Sequence, residues 1–207
     1  MSRTEQEKQR TLEQAVESYQ ERSIGPDFKG ASPSLLQGPA ECMEKLNKYM
    51  RSPRGFLVYI GCPGIGKTYF CSTLVEWAFK NFSTFRYHRE IDVLRRLRES
   101  MSERHNDYAR ELEYLMDDDL IMFDDVGSGI NPDRANVTSL EWRVEVFFSF
   151  LDYRHRSGKP TVITSNFNRQ EIYKIYCKRS YSRLFDTRNT IIELFDETED
   201  KRSWENR

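Results

Sequence analysis

Apolar residues fall in short continuous runs separated by longer, charged segments in which they recur every three or four positions. FLVYI at 56–60, LIMF at 120–123 and TVIT at 161–164 are too short for buried helices and lack strand-type alternation, so they predict strands buried on both faces. Weaker runs at 84–88 and 190–194 predict two more strands. Helical spacing predicts helices over 41–51, from Gly66 to about 80, over 90–101, 105–117, 138–153 and about 168–186. In 138–153, Thr138 and Glu141 form a capping-box pattern, and Leu140, Val144, Phe148 and Leu151 share a face. Strands alternating with helices make a parallel five-stranded α/β sheet between helical layers. No internal repeat interrupts it.

The flanks differ. Residues 4–22 read as a helix whose only apolar stripe is Leu12, Ala15, Val16 and Tyr19, too thin for a core of its own. It packs on the main domain or docks on a partner. Gly, Pro and Ser crowd 23–40, the composition of a linker. The expected organisation is a partner-binding helix at 1–22, a linker at 23–40, a nucleotide-binding domain at 41–195 and a polar, frayed tail at 196–207. The charged start MSRTEQEKQR has no apolar core and is not a signal peptide, and no run is long enough for a membrane span. Cys42, Cys62, Cys71 and Cys177 are scattered without zinc-ligand spacing and read as free thiols in a reducing cytoplasm. The net charge of -1 leaves no global footprint for nucleic acid, so any DNA contact comes from a local patch.

The chemistry begins at GCPGIGKT, 61–68, which fits G-x-x-x-x-G-K-[ST] between an apolar strand and a helix. Average residue usage produces the bare pattern in roughly one chain in 100 of this length. The flanking strand and helix select further. The backbone of Gly61, Cys62, Pro63, Gly64, Ile65 and Gly66 wraps phosphates, with Tyr69 following the loop. Lys67 supplies charge to the β and γ phosphates of ATP, and Thr68 a hydroxyl to Mg²⁺. The strand LIMF ends in Asp124 and Asp125: the first suits Mg²⁺ and the second faces the γ-phosphate side, where it polarises the attacking water. Asp117, Asp118 and Asp119 read as solvated turn acids. Asn166 ends the strand TVITS, where a polar side chain can hold that water.

Together these pieces resemble AAA+ ATPases of the DnaC/IstB type, the bacterial and phage helicase loaders and transposition helpers. The resemblance rests on GCPGIGKTYF (61–70), LIMFDDVG (120–127), LEWRVEVFFSFLDYRHRSGKPTVITSNF (140–167) and RSYSRLFD (179–186), and covers about 40–195. It implies that Asp124 binds Mg²⁺, Asp125 activates water, Asn166 senses the γ-phosphate, and Arg183 is an arginine finger presented to the neighbouring subunit's ATP, with Arg179 a second candidate. Two departures matter: Asp125 stands where most AAA+ proteins have Glu, and no C-terminal helical lid is expected after the fifth strand. An open site of that kind implies weak hydrolysis until subunits assemble.

The resemblance also implies a DnaB-type replicative helicase and single-stranded DNA as partners, self-assembly into a ring or spiral, and a cytoplasmic place in a bacterial or phage-infected cell. Arg86, His88, Arg89, Arg95, Arg96 and Arg98 cluster where related rings face their central pore, and Tyr87 or Tyr108 would stack on bases. The alternative is a solvated face neutralised by Glu90, Asp92, Glu99 and Glu103. Beside the helicase loader stand a transposition helper that recruits a transposase, a non-hydrolysing adaptor that uses ATP as an assembly signal, and a small-molecule P-loop kinase. The last lacks an arginine-rich lid, since GSGINPDRANVT at 127–138 is too short.

Overall fold

A computed structural model describes residues 3–36, 38–102, 107–133 and 137–195. Five parallel strands form one sheet in the order β2-β3-β4-β1-β5: β1 (Phe56–Gly61), β2 (Phe85–Arg89), β3 (Leu120–Val126), β4 (Thr161–Ser165) and β5 (Thr190–Leu194). Each β1 position is buried, and its side chains alternate between two cores. Phe56, Val58 and Ile60 face α5 (Glu90–Ser102), α6 (Tyr108–Met116), α7 (Val137–Ser157) and α8 (Arg169–Leu184). Leu57 and Tyr59 face α2 (Ala40–Arg51), α3 (Lys67–Thr73) and α4 (Val75–Asn81). Burial on both faces explains why the central strands read as unbroken apolar runs. The described residues end at Phe195, directly after β5, so the expectation about a C-terminal lid falls outside them. The tail at 196–207 lies outside them. No described helix is long and apolar enough to cross a membrane.

Three details depart from the sequence reading. The helix after Gly66 breaks at Leu74 into α3 and α4. In α7 the deepest face is Val146, Phe147, Phe150, Leu151 and Arg154, whereas Leu140, Val144 and Phe148 are only half-buried. This helix lies between the sheet and α8, so both sides carry apolar residues and the pattern misjudges which side is deeper. The side chain of Thr138 is outside the described residues. Finally, α8 is interrupted at Cys177, whose φ of 61° and ψ of 169° are not helical.

Helix α1 (Arg3–Tyr19) touches the domain at its C-terminal end. The Tyr19 ring lies 4.8 Å from that of Phe85 and 5.9 Å from that of Phe79. Its hydroxyl accepts the Tyr87 amide at 2.9 Å, which covers part of the free edge of β2. Next to it Gln20 is wholly buried. Its amide donates to the carbonyls of Ala31 and Ser72 and accepts from the Gly30 amide. The Gly, Pro and Ser of 23–40 thus make short turns fastened to α3, and Ser72 Oγ adds a bond to the Phe28 carbonyl.

Arg154 ties together the core on the α5–α8 side of the sheet. It is fully buried, and its guanidinium donates to the carbonyls of Met116, Asp118, Asp119 and Pro160 and to Thr161 Oγ1. It thus joins the segments that lead into β3 and β4. Burial pulls its pKa down to about 10, still charged at neutral pH. Arg154→Met keeps most of the volume but orphans these carbonyls. We expect a loss of about 3 kcal/mol or more, read as a Tm lower by roughly 10 °C in a thermal melt.

Candidate active site

β1 delivers the phosphate loop at the centre of the sheet. Gly61 is required by a close approach: a Cβ there would sit 2.1 Å from the Leu194 carbonyl of β5, which already accepts the Cys62 amide at 3.1 Å. Gly64 and Gly66 have φ of 89° and 88°, the left-handed region that turns successive amides toward one side. Lys67 opens α3 and folds back to donate to the carbonyls of Gly61 (2.8 Å) and Cys62 (2.7 Å).

Below the loop is a cleft of about 1240 Å³. One end is polar, with Lys67, Thr68, Asp124, Asp125, Thr164 and Asn166; the other is largely apolar, with Phe28, Leu36, Met43, Leu46, Ile192 and Leu194. The polar end suits charged phosphates and a divalent cation, the apolar end a flat heteroaromatic base. Phe28 and Leu36 come from the 23–40 stretch, which the sequence reading gave no part in the cleft.

Asp124 is 1% exposed and saturated with donors. Its Oδ2 accepts Thr68 Oγ1 at 2.9 Å and the Tyr87 hydroxyl at 2.7 Å; its Oδ1 accepts the Thr164 hydroxyl and, at 3.9 Å, the Cys71 thiol. Burial first, then the Asp124 charge, holds the Tyr87 phenol and the Cys71 thiol well above their ordinary pKa values, so both remain donors. Thr68 and Asp124 are the oxygens that would hold Mg²⁺. Among the described residues no group of three or more His, Cys, Asp and Glu could build a protein cage for it.

Strand alternation would send Asp125 to the opposite face from Asp124. The β3–β4 register shifts between Phe123 and Val126, Asp125 adopts φ 58°, and both carboxylates line the cleft. A left-handed non-glycine residue costs about 1–3 kcal/mol and persists only where its surroundings hold it. Here the Asp125 amide donates to Thr164 Oγ1 at 3.0 Å, and Asn166 Nδ2 donates to Asp125 Oδ1 at 2.9 Å. Asp125 and Asn166 thus form a hydrogen-bonded pair beside the loop, able to orient one water.

Other candidates lie outside this cleft. Arg183 bonds Asp152 through Nε (3.2 Å) and Nη2 (3.0 Å), and Arg179 lies over the Phe148 ring at 4.3 Å. Neither lines the cleft. In the basic cluster, Arg86 pairs with Asp118 at 2.8 Å and covers the Tyr114 ring. Arg96 pairs with Glu111, Arg95 with Asp92, and Arg98 lies over Trp142. Arg89, Arg95 and Arg98 are exposed. Tyr87 is not a base-stacking platform, because its ring is buried and its hydroxyl is committed to Asp124. Tyr108 is half-buried against the α5–α8 core. Glu90 is not on a solvated face either: it is 1% exposed.

A phosphate loop after the first strand, an acid pair on the third and an asparagine after the fourth, on a five-stranded parallel sheet of this order, define a P-loop ATPase domain of the AAA+ class. The model of the IstB-like ATP binding protein family matches residues 47–177, and the chain belongs to that family. A curated relative, the uncharacterized protein YqaM of Bacillus subtilis (strain 168), is 24% identical over 167 residues, covering 77% of this chain and 50% of that protein. The chain therefore spans about half the length of the curated relative it matches. Among solved structures, the DnaC helicase loader superposes with a TM-score of 0.64 at 18% identity, covering 80% of this chain and 98% of that one. DnaA bound to AMPPCP and single-stranded DNA superposes with a TM-score of 0.62 at 16% identity, covering 83% and 52%. Both share the fold.

His88 is read differently by the structure than by the sequence. Its Nε2 is buried with no hydrogen-bond partner among the described residues, and burial, then Arg96 and Arg86, depress its pKa to about 4. It is therefore neutral and turned inward, not a phosphate contact. The folded pKa lies below the ordinary 6.5, so the unfolded chain binds the extra proton between these values. This site's stability is intact above pH 6.5 and declines as pH falls toward 4, by up to about 3 kcal/mol. Urea melts across that range should show the decline, and His88→Gln should flatten it.

Proposed function

We propose that the chain is an ATP-switched loader that places a replicative hexameric DNA helicase on single-stranded DNA in the cytoplasm, and that it hydrolyses ATP weakly until subunits assemble. The carrying observation is the division of the site. The cleft holds a complete phosphate loop, an acid pair and the Asn166–Asp125 contact, but among the described residues no arginine lines it, while Arg183 lies elsewhere on α8. A neighbouring subunit is the natural source of the missing cation. The likeness to a helicase loader over 98% of that protein's chain supports the choice of output.

In this reading Lys67 leaves the Gly61 and Cys62 carbonyls for the phosphates, and the base enters the apolar end. Mg²⁺ on Thr68 and Asp124 would supply charge neutralisation. Asp125 accepts a proton from the water that Asn166 helps to hold, and Arg183 of the neighbour stabilises the charge that develops on the transferred phosphoryl group. The Asp152 pair releases Arg183 cheaply, because a pair 35% and 23% exposed is worth about 1 kcal/mol or less, and Arg156 remains on Asp152 at 3.2 Å. Arg183→Ala should leave ATP affinity within about threefold and reduce assembly-dependent hydrolysis about 10³-fold. Loss of binding in step with hydrolysis would reduce Arg183 to a support of the fold.

The family match favours a second reading, a transposition helper that assembles on DNA and recruits a transposase. Affinity capture with ATP from host extract separates the two: a replicative helicase supports the first, a transposase the second. Removal of residues 1–11 is the informative truncation, because Val16, Tyr19 and Gln20 are packed on the domain. Helicase capture should fall at least about tenfold while ATP binding stays intact. Equal capture without these residues would place the partner surface elsewhere.

A further inference from the structure

Glu90 opens α5 with a carboxylate that is 1% exposed and has donors from three other parts of the fold. Oε2 accepts the Gly127 amide at 2.7 Å and Arg143 Nη2 at 2.5 Å, and the Tyr176 hydroxyl of α8 lies 2.8 and 2.9 Å from its two oxygens. Arg143 Nη2 also donates to the Ser128 carbonyl at 3.0 Å. Gly127 and Ser128 are the second and third residues after Asp125. The loop that leaves the acid pair is therefore gripped through an amide by Glu90 and through the next carbonyl by the arginine that neutralises it.

Gly127 is pinned from the other side as well. Its φ is 92°, and a Cβ there would lie 2.4 to 2.9 Å from the Phe167 ring, which follows Asn166. Charge states fit this use. Burial lowers the Arg143 pKa, but the hydrogen bonds and charges of Glu90 and then Tyr176 together raise the net value. Burial first, then Glu90, keeps the Tyr176 phenol protonated. A buried ion pair is a poor way to gain stability, because apolar side chains of similar volume do as well. What a carboxylate adds here is an acceptor at a fixed point for one backbone amide.

We propose that Glu90, compensated by Arg143 and oriented by Tyr176, is a positioning residue for Asp125: by holding the Gly127 amide it fixes the left-handed turn that aims Asp125 into the cleft. This rests on the reading of Asp125 as the group that activates water.

The test uses the full chain under assembly conditions, with Tyr176→Phe, with the charge-free pair Glu90→Gln/Arg143→Gln, and with Asp125→Asn as the reference. Single-turnover ATP hydrolysis, equilibrium binding of a fluorescent ATP analogue, and thermal melts are measured on each. Both network variants should bind nucleotide within about threefold of the parent and hydrolyse it about 10- to 100-fold more slowly. Adding Tyr176→Phe to Asp125→Asn should cost nothing further, since both act on one group. Parental rates in the network variants, nucleotide affinity falling in step with rate, or losses that add to that of Asp125→Asn would each overturn the proposal. If Glu90→Gln/Arg143→Gln fails to fold, Tyr176→Phe, which removes no charge, decides alone. A parental rate in Asp125→Asn would overturn the reading of Asp125, and this proposal with it. A slow Asp125→Asn beside fast network variants overturns the role of Glu90 only.

Discussion

Two carboxylates on consecutive residues of one strand line the same cleft, and a regular strand forbids it. The register shift at Asp124 and Asp125 resolves this conflict, and much of the surrounding polar structure serves to hold it. Thr164 does so most economically, since its one oxygen donates to Asp124 and accepts the Asp125 amide. Its neighbour strand therefore sets the height of one acid and the turn of the other. Asn166, two residues on, takes the Asp125 side chain. The strained turn is stable because it is clamped from β4, and a left-handed aspartate without those partners would relax.

The same clamp explains what was legible in the chain and what was not. The phosphate loop and the acid pair are local: their residues are adjacent in sequence, and the apolar strands before them announce their place in the sheet. The sheet itself was legible because its central strands are buried on both sides. Tyr87, Thr164 and Glu90 were not legible as parts of the site. Tyr87 meets its carboxylate partner across 37 positions, Thr164 across 40, and Glu90 meets Tyr176 across 86. Each looks ordinary in its own window: a strand aromatic, a strand threonine, the first acid of a charged helix. The apolar wall from Phe28 and Leu36 was hidden by its setting in Gly, Pro and Ser, which signal turns but say nothing of what the turns pack against.

A near-neutral chain with 32 basic and 33 acidic residues also shapes how its arginines are used. Some are consumed by the fold. Arg154 donates to the carbonyls of Met116 and Asp118, and Arg143 balances a buried acid. Others, such as Arg95 and Arg183, sit in exposed or half-exposed pairs whose Coulomb gain is small in water. The distinction is one of depth rather than of residue type, which is why the linear pattern of arginines alone does not separate structural from exchangeable ones.

If Arg183 serves a neighbouring subunit's ATP, as proposed above, an exchangeable pair is what it needs. A finger held by a deep ion pair would have to be desolvated and torn away before reaching a neighbour, at a cost of several kcal/mol. A finger left without a partner would wander over many rotamers and lose that entropy on binding. The Asp152 pair lies between these limits: it confines Arg183 to one side of α8, yet on the proposed reading a more highly charged phosphoryl group would compete with it easily. On that reading the strong contacts are concentrated on the acids, which would have to stay in place, and the weak ones on the arginine, which would have to move.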